Sequence, residues 1–373
     1  MGKVIAARDG EVRVVLGEGE SIHCHSITWS PSGHLIYNRT WHNRGIWAVP
    51  FSIDLLVPTG EPFLVAADGD YPSVAGDGTL AYLPVEQEFE YELVWVDRRG
   101  VVLGTVGKPA ISLGRPSLSP DGTRVAYHAK PDAGLRLEIY ARDLTGEVPV
   151  RLTFSGGWSY PEWSPDGRLL IFSYGNKIAA KSADGSGELQ QLFKGSQPSI
   201  TPDGLNVIYH YFQEGKELRD VLIRPLDGSD EPVVLVGGAM EEEGRLSPAG
   251  DYLAYQSDET GTDEIYLTSY PGGEGKWQLS TQGGRDMRWV GDGNELIYRE
   301  PGGPFMSVTI RRDPKLHIAE PVVLFEIEGN ELVDPAQGFD VSPNGERLLM
   351  VRRIPVEGDG SSIVILQNWL ANF

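Results

Sequence analysis

Seven histidines and one cysteine are the residues best suited to metal or nucleophile chemistry in this 373-residue chain. His128 and His210 each follow a tyrosine, in Val125-Ala126-Tyr127-His128 and Val207-Ile208-Tyr209-His210, and Gln256 follows Tyr255 in the same way. Neutral imidazole and carboxamide are competent metal ligands. His128, His210 and Gln256 are therefore a candidate metal set, provided the fold brings them together. His23-Cys24-His25 is a second fragment, but adjacent strand residues face opposite ways, which leaves His23 and His25 as a lone pair. Asp68-Gly69-Asp70 and the run from Asp258 to Glu264 carry oxygen ligands without the spacing of a calcium loop. There is no Gly-x-Ser-x-Gly elbow and no serine, histidine and acid that spacing would join. No cofactor is expected.

The like placement of His128, His210 and Gln256 has a cause, because each stands a fixed distance after a repeated phrase. Ser119-Pro120-Asp121-Gly122, Ser164-Pro165-Asp166-Gly167, Thr201-Pro202-Asp203-Gly204 and Ser342-Pro343-Asn344-Gly345 are its clear copies. Weaker ones lie at 30–33, 75–78, 247–250 and 290–293. The closing glycines are separated by 45, 44, 45, 37, 46, 43 and 52 residues. Proline presets φ for a tight turn, Asp or Asn bonds its own backbone, and glycine accepts positive φ, so each phrase is a hairpin turn. Short β-rich runs flank it, such as Arg168 to Phe172 and Glu138 to Arg142, and no 3.6-residue apolar period is present. Four short antiparallel strands per ~45 residues make one blade of a β-propeller. Eight phrases predict eight blades, with seven as the alternative since two copies are degenerate, in one all-β domain spanning 1–373. The hairpin Val4–Ala7 with Val12–Leu16 is expected to close the ring as the outer strand of the last blade.

Composition agrees. Gly 46 and Pro 26 with 40% hydrophobic residues describe a turn-rich globular protein. A net charge of -21 repels phosphate backbones, which argues against a nucleic-acid partner. Cys24 is the sole cysteine, so no intrachain disulfide forms, and a cysteine-poor chain fits cytoplasm or periplasm alike. No apolar run is long enough to span a membrane, and Met1-Gly2-Lys3-Val4 lacks a signal-peptide core. A monomer is expected.

The phrases resemble the TolB-like propeller repeat, a Trp-Ser-Pro-Asp-Gly turn followed by an Ile-Ala-Phe/Tyr strand. The likeness is strongest in Leu118–Tyr127, Trp163–Phe172 and Leu246–Tyr255. Gly45–Phe51, Gly78–Tyr82, Leu93–Gly100, Gly275–Thr281 and Ile365–Trp369 resemble the propeller regions attached to bacterial serine/threonine kinases. That resemblance implies a sensory or protein-interaction module and no kinase activity, since the nucleotide loop, His-Arg-Asp and Asp-Phe-Gly are all missing.

In such a fold, ligands meet the mouth of the central channel. The residue four before each phrase reaches that mouth: Ser26, Tyr71, Arg115, Tyr160, Gln197, Glu243, Asp286 and Gly338, with Arg285 beside Asp286. Tyr71, Arg115, Tyr160, Gln197, Glu243, Arg285 and Asp286 are the candidate ligand-binding residues, for a protein or peptide partner or a small molecule such as a sugar. The expected function is a non-catalytic binding module. The alternative is a carbohydrate-active lyase or hydrolase at the same mouth. Trp163 and Trp289 are expected to pack blade on blade, and Trp41 and Trp158 to stand in loops as ligand platforms.

Overall fold

A computed structural model describes residues 4–8, 11–16, 26–39, 45–67, 69–84, 90–131, 136–146, 148–212, 218–312, 315–326, 338–354 and 363–372. Among them only Trp369–Asn372 is helical, a single 3-10 turn, and no helix is long and apolar enough to cross a membrane. All eight phrases form the expected turn. In each, the glycine N–H donates to the carbonyl of the phrase's first residue, at 2.7 to 3.0 Å from Gly345 to Gly33. The first hydroxyl is buried and structural: Ser119 Oγ donates to Asp121 at 2.6 Å and accepts from Arg124 N at 2.9 Å, and Ser164 and Thr201 repeat the pattern.

The chain divides into two compact units, one of Met1–Gln87 with Val356–Phe373 and one of Glu88–Pro355. The larger unit carries six phrases in six blades, A to F, of which A and F share one seven-stranded sheet. Blades A to E are contiguous, and their inner strands begin with the second half of Val102–Leu118, then Ser159–Trp163, Ser196–Ile200, Glu241–Leu246 and Arg285–Val290. Blade F is composite. Phe339–Val341 and Arg347–Arg353 from the end of the unit are joined by Glu90–Asp97 and the first half of Val102–Leu118 from its start. Seven residue pairs, from Tyr91 opposite Arg353 to Asp97 opposite Arg347, make that seam. The 17-residue strand Val102–Leu118 belongs to two blades, pairing through Ile111 in blade F and from Ile111 onward in blade A. The six inner strands touch one another in a closed cycle.

Closure therefore differs from the sequence expectation in two respects. The strands that complete the last blade come from residues 90–110, and Val4–Arg8 pairs with Glu11–Leu16 as a two-stranded sheet. The ring that the pairings close has six blades in place of the expected eight. The physical reason lies in strand supply: Tyr91–Asp97 offers a longer matched edge to Arg347–Arg353 than a short terminal hairpin can, and an unpaired edge is a liability that closure removes.

The smaller unit holds the other two phrases. One sheet is built on Ile27–Ser30, His34–Arg39 and Gly45–Ser52, and a second pairs Gly69–Val74 with Leu80–Pro84. The third strand of that second sheet is Val364–Leu366, from the far end of the chain. The larger unit is thus inserted, in chain order, between two strands of one sheet of the smaller. Trp369 anchors the returning segment, fully buried against Phe63 and His34, with its indole donating to Gly78 O at 3.1 Å.

Blades cohere through apolar faces and cross-strand aromatics. Tyr127 opposes Tyr140 and Tyr255 opposes Tyr266, in stacked pairs 5.8 and 5.7 Å apart. Trp163 and Trp289 pack between blades as expected, their indoles donating to Ser117 O at 2.8 Å and Arg245 O at 3.2 Å in the preceding blade. Trp158 is a correction: it is buried against Phe172, not displayed in a loop. Trp41 and His23-Cys24-His25 lie outside the described residues.

Two predictions follow from closure and from the turns. A chain cut to Glu88–Pro355 keeps every strand of its ring, so it should unfold cooperatively on heating, followed by circular dichroism. A gradual melt would contradict the ring described here. Asp121 is held down to about 2 by the Ser119 hydroxyl and by the backbone and side chain of Thr123. A depressed carboxyl contributes stability that is full above its unfolded value, about 4, and fades as pH falls toward 2. The urea midpoint of the wild type should exceed that of Asp121→Asn at pH 6, and the two should converge by pH 2; a constant gap would refute the charge contribution.

Candidate functional site

The residue four before each phrase has a property that its type does not suggest. Tyr71, Arg115, Tyr160, Gln197, Glu243 and Asp286 all have φ between 47° and 56°, and Gly338 has 69°. Each sits at a register shift of its inner strand in the six pairings that place it, for example between Ser159 and Glu162 or between Ser196 and Ser199. The left-handed residue is the extra one of a β-bulge, which bends the strand and re-aims its side chain. Proline follows it at 116, 161 and 198, where a ladder donor is not needed. The bulge also shifts the alternation, so the left-handed residue and the one two places on both turn to the channel of the ring.

Two layers of side chains result. In the outer layer Arg115 of blade A reaches across to Asp286 of blade E at 2.8 Å and to Glu243 of the opposite blade D at 3.6 Å, and stacks on Tyr160 at 4.6 Å. Asp286 also accepts from Arg299 at 2.9 Å. Gly338 makes room for this: a Cβ there would stand 3.2 Å from Cδ of Arg115. In the inner layer Arg245 grips Glu162 with both nitrogens, at 3.0 and 3.2 Å, and Arg288 faces Asp340 at 3.4 Å. Sequence reasoning missed Glu162, Arg245, Arg288 and Asp340. The signal was available, since charged residues two places after the rim position interrupt an otherwise buried strand.

Electrostatics follow from burial and proximity. Burial and the nearby Asp286 push the Glu243 carboxyl above its usual range. Asp286 is held low against its own burial by Arg115 and Arg299. Arg115 stays above its ordinary value, since Asp286, Tyr160 and Glu243 outweigh desolvation. Arg115, Tyr160, Gln197 and Glu243 line one narrow cavity of about 410 Å³ counting the part open to solvent, with Glu162, Arg245 and Arg288 at its floor.

Two candidate residues leave this group. Tyr71 belongs to the smaller unit, where it is exposed. Arg285 points outward and pairs with Asp263.

The candidate metal residues do not assemble. His128 stands where a blade meets the next, and two ring-related positions share its staple to the residue just before the next rim position. Asn38 donates to Asp70 at 2.6 Å, His128 Nδ1 meets Ser159 Oγ at 2.6 Å, and Ser173 Oγ lies 3.5 Å from Ser196 Oγ. His210 is buried and neutral, pushed down to about 3 by desolvation and by Arg219. Gln256 is buried in blade D. Among the described residues no three of His, Cys, Asp and Glu are grouped to hold an ion.

With this geometry in hand, likeness to other proteins can be weighed. No family model matches the chain. It is 36% identical over 84 residues to the Tol-Pal system protein TolB of Alcanivorax borkumensis, covering 22% of this chain and 19% of that protein. It is 27% identical over 209 residues to the uncharacterized peptidase YuxL of Bacillus subtilis, covering 50% and 29%. The chain thus spans less than a third of the length of these curated relatives. Among solved structures, TolB of Agrobacterium tumefaciens superposes with a TM-score of 0.55 at 18% identity, covering 72% of this chain and all of that one. Hydrazine synthase of Kuenenia stuttgartiensis gives 0.51 at 14% identity, over 80% and 94%. Identities this low speak for the fold alone. The fold is a β-propeller, and among propellers it is TolB-like.

Two outcomes check the rim and the staple. At position 197 the backbone favours glycine, so Gln197→Gly should exceed Gln197→Ala in stability by about 1 kcal/mol, with Gln197→Val lower still. Glycine at the bottom of that series, as in an ordinary strand, would refute the left-handed assignment. His128→Ala should cost about 2 kcal/mol through the lost bond to Ser159 and leave the metal content of the purified protein unchanged.

Proposed function

We propose that the larger unit is a non-catalytic binding module that takes a peptide or a small polar ligand at the rim of its channel, the sensory role that kinase-attached propellers suggested. The observation that carries this reading is the left-handed backbone under five non-glycine side chains. A position needing φ near +50° is best served by glycine, as at 338, and each other side chain there costs about 1 kcal/mol or more. Arg115, Tyr160, Gln197, Glu243 and Asp286 are five different chemistries retained at that cost. Nor does stability call for their charges, because buried ion pairs are often no better than apolar residues of like size. Side chains borne against backbone preference, four of them lining one cavity, are what a recognition surface requires.

Panning a displayed peptide library against the full chain tests the reading. Selected peptides should bind wild type, and Arg115→Ala and Glu243→Ala should each weaken them tenfold or more, about 1.4 kcal/mol. Full affinity retained in both variants would place binding elsewhere and sink the rim.

A further inference from the structure

The rim is not evenly satisfied. Blade A contributes a donor already engaged, since Arg115 gives its guanidinium to Asp286 at 2.8 Å. Blades C and D contribute acceptors that are not. Gln197 Oε1 and Glu243 Oε2 are both buried and without a hydrogen-bond partner, and both residues line the same cavity. The other oxygen of Glu243 stands 3.6 Å from Arg115, near enough for charge attraction and too far for a good hydrogen bond. Two more unpartnered buried atoms, Nδ1 of His210 and Oε2 of Glu241, lie on the same two blades. An orphaned buried acceptor costs on the order of 1–3 kcal/mol, and native proteins rarely leave several together.

The chemistry of what would satisfy Gln197 and Glu243 can be narrowed. A hydroxyl or a single amide N–H donates one proton and meets one acceptor of the two. A guanidinium brings five donors in a rigid plane, more than the pair can use, into a cavity whose rim is narrow enough for Arg115 to reach the opposite blade. A calcium ion needs six or more oxygens, and no group of three acidic or histidine ligands exists among the described residues. A primary ammonium carries three donors on one small tip and suits a carboxylate beside a carboxamide. Arg115, Tyr160, Gln197 and Glu243 are each only partly buried, so the rim they form opens to solvent, although the two acceptor oxygens themselves are buried.

We infer that Gln197 and Glu243 form a pocket for a primary ammonium group, such as a lysine side chain of a bound peptide, entering the channel rim between blades C and D. This deepens the binding-module reading and rests on it. Asp286 is bonded to both Arg115 and Arg299, whereas Glu243 meets Arg115 only at 3.6 Å and through one oxygen, which leaves its second oxygen to face the incoming charge.

A water molecule donates two protons and would satisfy the same pair, so the experiment must separate it from an amine. Short peptides Gly-Ser-Xaa-Ser-Gly, with Xaa lysine, Nζ-acetyl-lysine or leucine, are titrated into the full-length ¹⁵N-labelled protein. Chemical shifts, including the Gln197 side-chain amide, are followed. The lysine peptide should bind at least tenfold tighter than its acetylated and leucine counterparts and shift the Gln197 amide. Glu243→Gln should abolish the preference while the rest of the spectrum stays that of the folded ring. Equal binding of the three peptides, still weakened by Arg115→Ala, would overturn the ammonium pocket and leave the rim reading intact. No binding by any of the three, while library-selected peptides still depend on Arg115, would overturn it likewise and mark the pair as a water site. Loss of all rim-dependent binding, library peptides included, would remove both.

Discussion

Everything at the channel depends on the seam between Glu90–Asp97 and Arg347–Arg353. These seven residue pairs are the only described ladder joining the start of the larger unit to its end, and they convert a row of sheets into a ring. Once the row is closed at six, the inner strands are forced together. Opposite blades come near enough that Arg115 of blade A and Glu243 of blade D stand 3.6 Å apart. A ring of eight would hold those residues far from each other, and the charge network would not form. The strand Val102–Leu118 extends the effect, because membership of two blades ties the closing blade to its neighbour without a loop.

Inside the ring two costs run side by side. The backbone is left-handed where glycine would be more comfortable, and charges are placed where apolar residues would serve stability as well. Both fall together on Arg115, Glu243 and Asp286, at one end of the channel. The other end is built from the phrases and has the opposite character: its hydroxyls, carboxylates and glycines satisfy one another, with Ser119, Asp121 and Arg124 forming a self-contained turn. The propeller thus separates a self-satisfied end from an end with acceptors to spare.

Much of this was legible in the sequence. Pro-Asp-Gly dictates its turn through local chemistry, and local chemistry survives folding, so all eight copies folded as expected. The register it supplied singled out the rim position, where Arg115, Tyr160, Gln197 and Glu243 line one cavity and Asp286 is bonded to Arg115. Closure was not legible, because pairing between residues 91 and 353 is a long-range choice among similar β-rich segments. Nor was the insertion, in which Val364–Leu366 returns to Leu80–Pro84. Arg285 misled because its neighbour Asp286 carries the bulge, and one residue of offset sends a side chain to the opposite face. His128 misled for a related reason: its position faces the neighbouring blade, where the ring is taken up by Ser159.

The most direct test of the rim is a high-resolution crystal structure of the full chain. The result predicted is φ near +50° at 115, 160, 197, 243 and 286, with an ordered donor atom within hydrogen-bond distance of both Gln197 Oε1 and Glu243 Oε2. Extended φ at those five positions, or both oxygens turned onto donors of the protein itself, would contradict it.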